Sequence, residues 1–142
     1  MGFSAKTTYG LLALLELADL RSSDERLQVG EIAARQAIPE RYLEQMMTSL
    51  RRAGILRSIR GARGGYQLAR PAVQISLAEV VACLEGEPEA ASTDSGSPEQ
   101  QVVAELSQEL RHLRLARLEA TNLAALLEQR DALLQAQAMY FI

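Results

Sequence analysis

Leu11, Leu14, Leu15 and Ala18 return at intervals of three and four, which puts them on one side of a helix and predicts that residues 4–20 form one, capped by Ser4. A polar turn over residues 21–25 leads to residues 29–35, a short second helix that buries Ile32 and Ala33. After a turn at Ala37 and Ile38, Pro39 stands at a first helical position, and Glu40 beside it complements the positive end of the helix dipole. The third helix runs to Ala53. Its buried stripe is Leu43, Met46, Met47 and Leu50; Arg41, Glu44, Gln45, Thr48, Arg51 and Arg52 lie off that stripe, and Gly54 closes the helix.

Residues 55–60 and 66–70 are expected as two strands joined by Gly61, Ala62, Arg63, Gly64 and Gly65. Three glycines in that tip allow backbone angles closed to other residues and a close approach to a partner. Residues 75–84 return to helical spacing, with Ser76 as cap and Glu79 as the second member of a capping box. Residues 86–98 carry Gly, Pro, Ser, Thr and acids without apolar anchors, the pattern of a mobile loop. Beyond Glu99, Val103, Leu106, Leu110 and Leu113 alternate steps of three and four as an interhelical seam does, and Thr121 is expected to cap a last short helix ending near Arg130. The chain closes on Ala138, Met139, Tyr140, Phe141 and Ile142. Large apolar residues are unusual at a disordered end, so this tail should be covered by its own domain, a partner subunit or another protein.

A length of 142 residues fits one compact domain with an accessory element, and 48% hydrophobic residues suffice for a core. The net charge of −3 hides a division. Residues 1–86 carry eleven Lys and Arg against nine Asp and Glu; residues 87–142 carry four against nine. Between Gln45 and Ala78 there are six arginines (Arg51, Arg52, Arg57, Arg60, Arg63 and Arg70) and no acid, so this segment needs an anionic partner, nucleic acid first. The scarcity of aromatics and absence of tryptophan argue against a stacking platform for single strands.

A single cysteine, Cys83, excludes an intrachain disulfide framework and a multi-cysteine zinc site, and fits a reducing cytosol. The start lacks the order of a signal peptide and only faintly resembles a myristoylation site, no stretch is apolar enough for a bilayer, and a cytoplasmic protein with no membrane partner is expected. Nothing resembles a nucleophile–base pair, carboxylates converging near a histidine, or a phosphate-cradling glycine loop that opens a helix. No catalytic residues, no metal ligands and no cofactor are expected, and the protein is read as not an enzyme. Cys83 sits on an apolar stripe as an inert thiol, His112 is an exposed helix residue, and Tyr66 packs at the base of the ribbon.

Helix, short helix, tight turn, longer helix and a glycine-tipped ribbon is the order of a winged helix-turn-helix. The expected class is mainly α with a small two-stranded β-wing, plus a long C-terminal dimerisation helix. Ser4-Ala-Lys-Thr-Thr-Tyr9, Glu31-Ile-Ala33, Ile38 with Tyr42-Leu-Glu-Gln45, Leu50 with Ala53-Gly-Ile-Leu56, Ser58-Ile-Arg-Gly61 and Gly64-Gly-Tyr-Gln-Leu-Ala69 stand out along the chain. With these residues the sequence resembles, over residues 1–86, the Rrf-two family of bacterial winged-helix transcription regulators.

The resemblance implies that Arg41, Glu44 and Gln45 face base edges in the major groove and that Arg60 enters the minor groove. Lys6, Arg51, Arg52, Arg57 and Arg63 then contact phosphates, Arg63 standing where relatives often carry glycine. Each side-chain type suits its place, because Gln pairs with adenine, Arg with guanine, Glu accepts from cytosine, and Arg senses a narrow groove. The plainer alternative for Glu44 is an ion pair with Arg41 one turn back. Many members bind an iron–sulfur cluster through three cysteines in the loop after the wing domain; residues 87–98 contain none, so no cluster is expected.

The resemblance is nearest to a cluster-free branch, the cysteine-metabolism repressors, which implies a homodimer on a near-palindromic operator and repression of cysteine or sulfur genes. In that branch control comes from binding O-acetylserine sulfhydrylase (cysteine synthase), which captures C-terminal isoleucines. Met139, Tyr140, Phe141 and Ile142 resemble such a docking tail. The expected organisation is a DNA-binding domain at 1–86, a flexible loop at 87–98, dimerisation helices at 99–136 and the tail at 137–142. The alternative is a protein-interaction module that presents the tail to the enzyme without binding DNA.

Overall fold

Ser4 accepts the amide proton of Thr7 on its side chain and starts α1 (Ala5–Ala18), the helix around which the rest is assembled. A computed structural model of the protein describes residues 2–20, 24–86 and 96–140. After α1 come α2 (Val29–Gln36), α3 (Glu40–Arg52), strands β1 (Leu56–Ile59) and β2 (Gly65–Leu68), a 3-10 turn at Ala72–Gln74, α4 (Leu77–Glu85), α5 (Pro98–Glu119) and α6 (Leu123–Tyr140). Helix α1 touches α2, α3, α4, α6 and β2. Its Ala13, Leu14 and Leu17 are buried with Ile32, Leu43, Met46, Met47, Leu50, Ile55, Leu56, Ile75 and Val80 in one core. Gly10 lets α4 come close, because a Cβ there would lie 2.4 Å from Leu84 Cδ1.

The turn between α2 and α3 and the end of α3 use one device. At the end of α3 the Ile55 amide donates to the Leu50 carbonyl and the Gly54 amide to Arg51, with Gly54 at φ +79°, the Schellman arrangement. At the end of α2 the Ile38 amide donates to the Ala33 carbonyl, but the left-handed residue is Ala37, at φ 54°. A Cβ at that angle is strained, whereas glycine would not be.

Several sequence expectations shift. Pro39 is the N-cap of α3 and Glu40 its first helical residue, one position later than expected. Ser76 caps α4, accepting from the Glu79 amide, but the Glu79 carboxylate is paired with Arg70 and does not complete a capping box. Thr121 does not cap the last helix: it is buried and its hydroxyl donates back to the Arg117 carbonyl, finishing α5, while Asn122 Oδ1 accepts the Ala125 amide at the start of α6. Helix α6 continues ten residues past Arg130, to Tyr140, because Ala132, Leu133, Leu134, Gln135, Ala136, Gln137 and Ala138 are all good helix formers. The tail expected at 137–142 therefore begins as the last turn of a helix. Of the expected loop, residues 87–95 lie outside the described residues, as do residues 21–23 of the polar turn and Phe141 and Ile142 of the tail.

Helix α5 starts from a capping box between Ser97 and Gln100 and buries only Leu118. Arg114 anchors it to α4, bonding to Glu85 at 3.3 Å and lying over the Phe3 ring. Burial works against the Glu85 charge, but the Ser4 amide and Arg114 outweigh it and hold the carboxyl below its ordinary range. Arg130 ties α6 to the Asp19 carboxylate at the end of α1. No helix of the described residues is long and apolar enough to cross a membrane.

The strain at Ala37 gives a direct prediction. The exposed Ala37→Gly variant should be more stable by up to about 1 kcal/mol, the relief of the left-handed Cβ exceeding the added chain entropy of glycine. Urea unfolding checks this by a higher midpoint at unchanged slope.

Candidate nucleic-acid interface

The outer side of α3 is set by what its inner side buries. Leu43, Met46, Met47 and Leu50 are fully buried, so Arg41, Glu44, Gln45, Arg51 and Arg52, at the complementary positions, are exposed. Thr48 and Ser49 fold their hydroxyls back onto the carbonyls of Glu44 and Gln45, leaving the longer side chains to project. Among the described residues Glu44 forms no ion pair, with Arg41 or any other cation, so the plainer alternative for it is not realised.

Only Ala53, Gly54 and Ile55 separate this helix from the ribbon. Strands β1 and β2 pair antiparallel, with Leu56 opposite Leu68, Arg57 opposite Gln67, Ser58 opposite Tyr66 and Ile59 opposite Gly65. Their tip needs its glycines: Gly61 has φ +113°, and a Cβ on Gly64 would fall 2.4 Å from the Ile59 carbonyl oxygen. A third segment braces the ribbon. The Leu27 amide donates to the Tyr66 carbonyl at 3.1 Å and the Tyr66 amide to the Leu27 carbonyl at 2.7 Å, and the Tyr66 ring packs against the core as expected.

The six-arginine segment divides in two. Arg70 is neutralised by Glu79 and also donates to the Gln74 carbonyl, so it belongs to the scaffold. Arg51, Arg52, Arg57, Arg60 and Arg63 are exposed, and none of them, nor Arg41 or half-buried Lys6, is paired with a carboxylate among the described residues. Arg57 lies across the ribbon with Nε donating to Gln67 Oε1. Arg63 borders a cleft that also contains Glu16, Asp19 and Glu31, so its surroundings are less uniformly basic than those of Arg51 and Arg52. Uncompensated cations on an exposed helix end and ribbon form an electrostatic footprint suited to a polyanion.

Sequence reasoning missed Gln67. It is buried on the ribbon face opposite the one that Leu56, Tyr66 and Leu68 turn to the core, where strand alternation predicts exposure, so its place between Tyr66 and Leu68 gave no signal of internal partners.

A three-helix core whose third helix leads into a glycine-tipped ribbon is a winged helix-turn-helix. A family model described as "Rrf2: Iron-dependent Transcriptional regulator" matches residues 3–129, and the chain belongs to the Rrf2 family. It is 40% identical over 98 residues to the HTH-type transcriptional regulator IscR of Cereibacter sphaeroides, an alignment covering 68% of this chain and 63% of that protein. The chain thus spans under two thirds of the curated relatives' length, as it also does for a putative HTH-type regulator of Synechocystis, of which it covers 57% at 48% identity. Among solved structures, CymR of Staphylococcus aureus in its oxidized form is 36% identical, with a TM-score of 0.74 over 90% of this chain and 97% of that one. CymR, "the Global Cysteine Regulator of B. subtilis", is 29% identical, with a TM-score of 0.73 over 91% and 98%. These relatives are named as regulators, not enzymes.

The family description invokes iron, and this chain's donors do not fit it. The sequence holds one cysteine and one histidine. Cys83 is half-buried on α4 with its thiol directed at the Ser49 carbonyl, His112 is exposed on α5, and no group of three potential ligands forms among the described residues. A cluster held by thiolates has no cradle here.

Burial pushes the Cys83 thiol up, with the Lys6 ammonium opposing, so the thiolate is scarcer than in a free cysteine at any pH below the raised value. Alkylation by iodoacetamide at pH 8 should therefore be slower than that of a free thiol, and its rate should keep rising at pH values where a free cysteine has levelled off. A rate profile superimposing on free cysteine would contradict this.

Proposed function

We propose that the protein is a DNA-binding transcriptional regulator that works as a homodimer on a near-palindromic operator, represses cysteine or sulfur genes, and carries no iron–sulfur cluster. The observation that carries the reading is the exposed outer row of α3 continuing into a ribbon whose arginines have no carboxylate partners among the described residues. Arg41, Glu44 and Gln45 read base edges, Arg60 enters the minor groove, and Lys6, Arg51, Arg52, Arg57 and Arg63 grip phosphates.

Dimerisation is supported by the row Val103, Leu106, Leu110 and Leu113 on α5, each at least half exposed in the single chain although spaced as a helix–helix seam. A twofold dimer presents two recognition helices to two half-sites. Control of cysteine metabolism is supported by the likeness to CymR. The end of α6 supports a docking role: Met139 is 75% and Tyr140 88% exposed at the close of the chain. The sequence continues with Phe141 and Ile142, an apolar run suited to docking on O-acetylserine sulfhydrylase.

Fluorescence anisotropy with a labelled duplex tests the DNA reading. Affinity should fall about a thousandfold or more between 50 and 200 mM salt if six or more phosphates are contacted. Arg60→Ala should cost a further factor of roughly ten at fixed salt. Absent or salt-insensitive binding would leave only the interaction-module alternative.

The tail is tested separately with purified sulfhydrylase. The intact chain should bind it, and a chain extended by one residue after Ile142 should not, because the carboxylate is moved. Equal binding by both would refute the docking role.

A further inference from the structure

Three polar side chains are buried among the described residues: Thr7, Thr121 and Gln67. The first two are explained within their own helices, since Thr7 Oγ1 accepts from Ser4 and Thr121 donates to Arg117. Gln67 is different because it joins three separate stretches of chain. Its Oε1 accepts from Arg57 Nε on β1 at 2.5 Å, and its Nε2 donates to the carbonyl of Glu25, in the segment between α1 and α2, at 3.0 Å. Leu27 of that segment is bonded to Tyr66, the neighbour of Gln67, so the amide extends the bracing of the ribbon two residues further along.

The strand register decides what this does to Arg57. Residues directly opposite in an antiparallel pair share a face, and Arg57 lies directly opposite Gln67. Holding Nε leaves both terminal nitrogens of the guanidinium plane to bind elsewhere. An unheld arginine loses much rotamer freedom when it grips a phosphate, and one already held in its plane loses less. Gln67 lies on the ribbon face opposite core-packed Leu56 and Leu68, and an apolar side chain would fill its covered position equally well, so packing alone does not call for an amide there.

We propose that Gln67 is a positioning residue for phosphate contact by Arg57, fixing the guanidinium plane against the braced ribbon before DNA arrives. The inference rests on the duplex-DNA reading above. Gln67 touches no phosphate itself; it acts through Arg57.

The test is a double-mutant cycle in the full-length chain, using Arg57→Ala, the near-isosteric Gln67→Met and their combination, each titrated against a mixed-sequence duplex of about 30 base pairs across a salt series. Arg57→Ala, which removes one contact from each subunit of the dimer, should weaken binding roughly fivefold per subunit and reduce the salt slope by about 1.8, two phosphates. Gln67→Met should weaken binding about threefold in the parent and not at all in the Arg57→Ala background. An equal cost in both backgrounds overturns the proposal, because Gln67 would then act on the ribbon at large. So does duplex binding that Arg57→Ala leaves unchanged, an outcome under which the DNA reading itself survives. A parent chain that does not bind the duplex removes both. Should Gln67→Met fail to fold, the unmutated protein still decides the matter by NMR: the Arg57 Nε–H should be a distinct, slowly exchanging resonance, and a fast-exchanging, averaged signal overturns the proposal.

Discussion

Burial of one face of α1 is the constraint on which the architecture depends. Ala13 and Leu14 are fully buried, Leu17 nearly so, and the helix is in contact with four other helices and with β2. Burial of a single leucine side chain contributes on the order of 2 kcal/mol, so this face holds together elements that would not be stable apart. The turn between α2 and α3, the ribbon and α4 are all placed by reference to it. Their solvent sides are consequently free to carry chemistry that packing does not dictate.

What the solvent sides carry is charge sorted by role. Arg35, Arg70, Arg114 and Arg130 pair with Glu16, Glu79, Glu85 and Asp19 and join elements to one another. At partly exposed sites such pairs contribute little to stability, and their use is to fix orientation. The arginines on α3 and the ribbon have no such partners among the described residues, and the ribbon is instead held by main-chain bonds to Leu27 and by the Gln67 amide. Bracing with neutral groups leaves the positive charge uncancelled. An acidic chain can thereby present a basic surface.

Much of this was legible in the sequence where one signal dominated. Periodicity located the buried stripe of α3 down to Leu43, Met46, Met47 and Leu50, and the Gly54 cap and glycine tip followed from backbone chemistry. Ambiguity arose where a residue had two suitable partners. Glu79 could complete a capping box or neutralise Arg70, and only the approach of Arg70 from the end of β2 decides for the second. Thr121 and Asn122 are adjacent cap formers, and the burial of Thr121 against the end of α5 leaves the capping to Asn122. Gln67 was unreadable as a link because its partners, Arg57 and Glu25, are 10 and 42 positions away in sequence. The nucleic-acid roles proposed for individual side chains rest on family likeness, since spacing identifies an exposed row without saying what it meets.

Helix α5 is fastened to the body of the protein close to one end, by Leu118 in the core and Arg114 on Glu85. From Leu118 back to Pro98 the helix extends about 30 Å at 1.5 Å per residue. It is therefore a lever with a short fulcrum: a tilt of only about 10° at Leu118 carries the far end through roughly 5 Å, the length of a helical turn. Repacking too slight to disturb the winged domain is thus magnified along this arm.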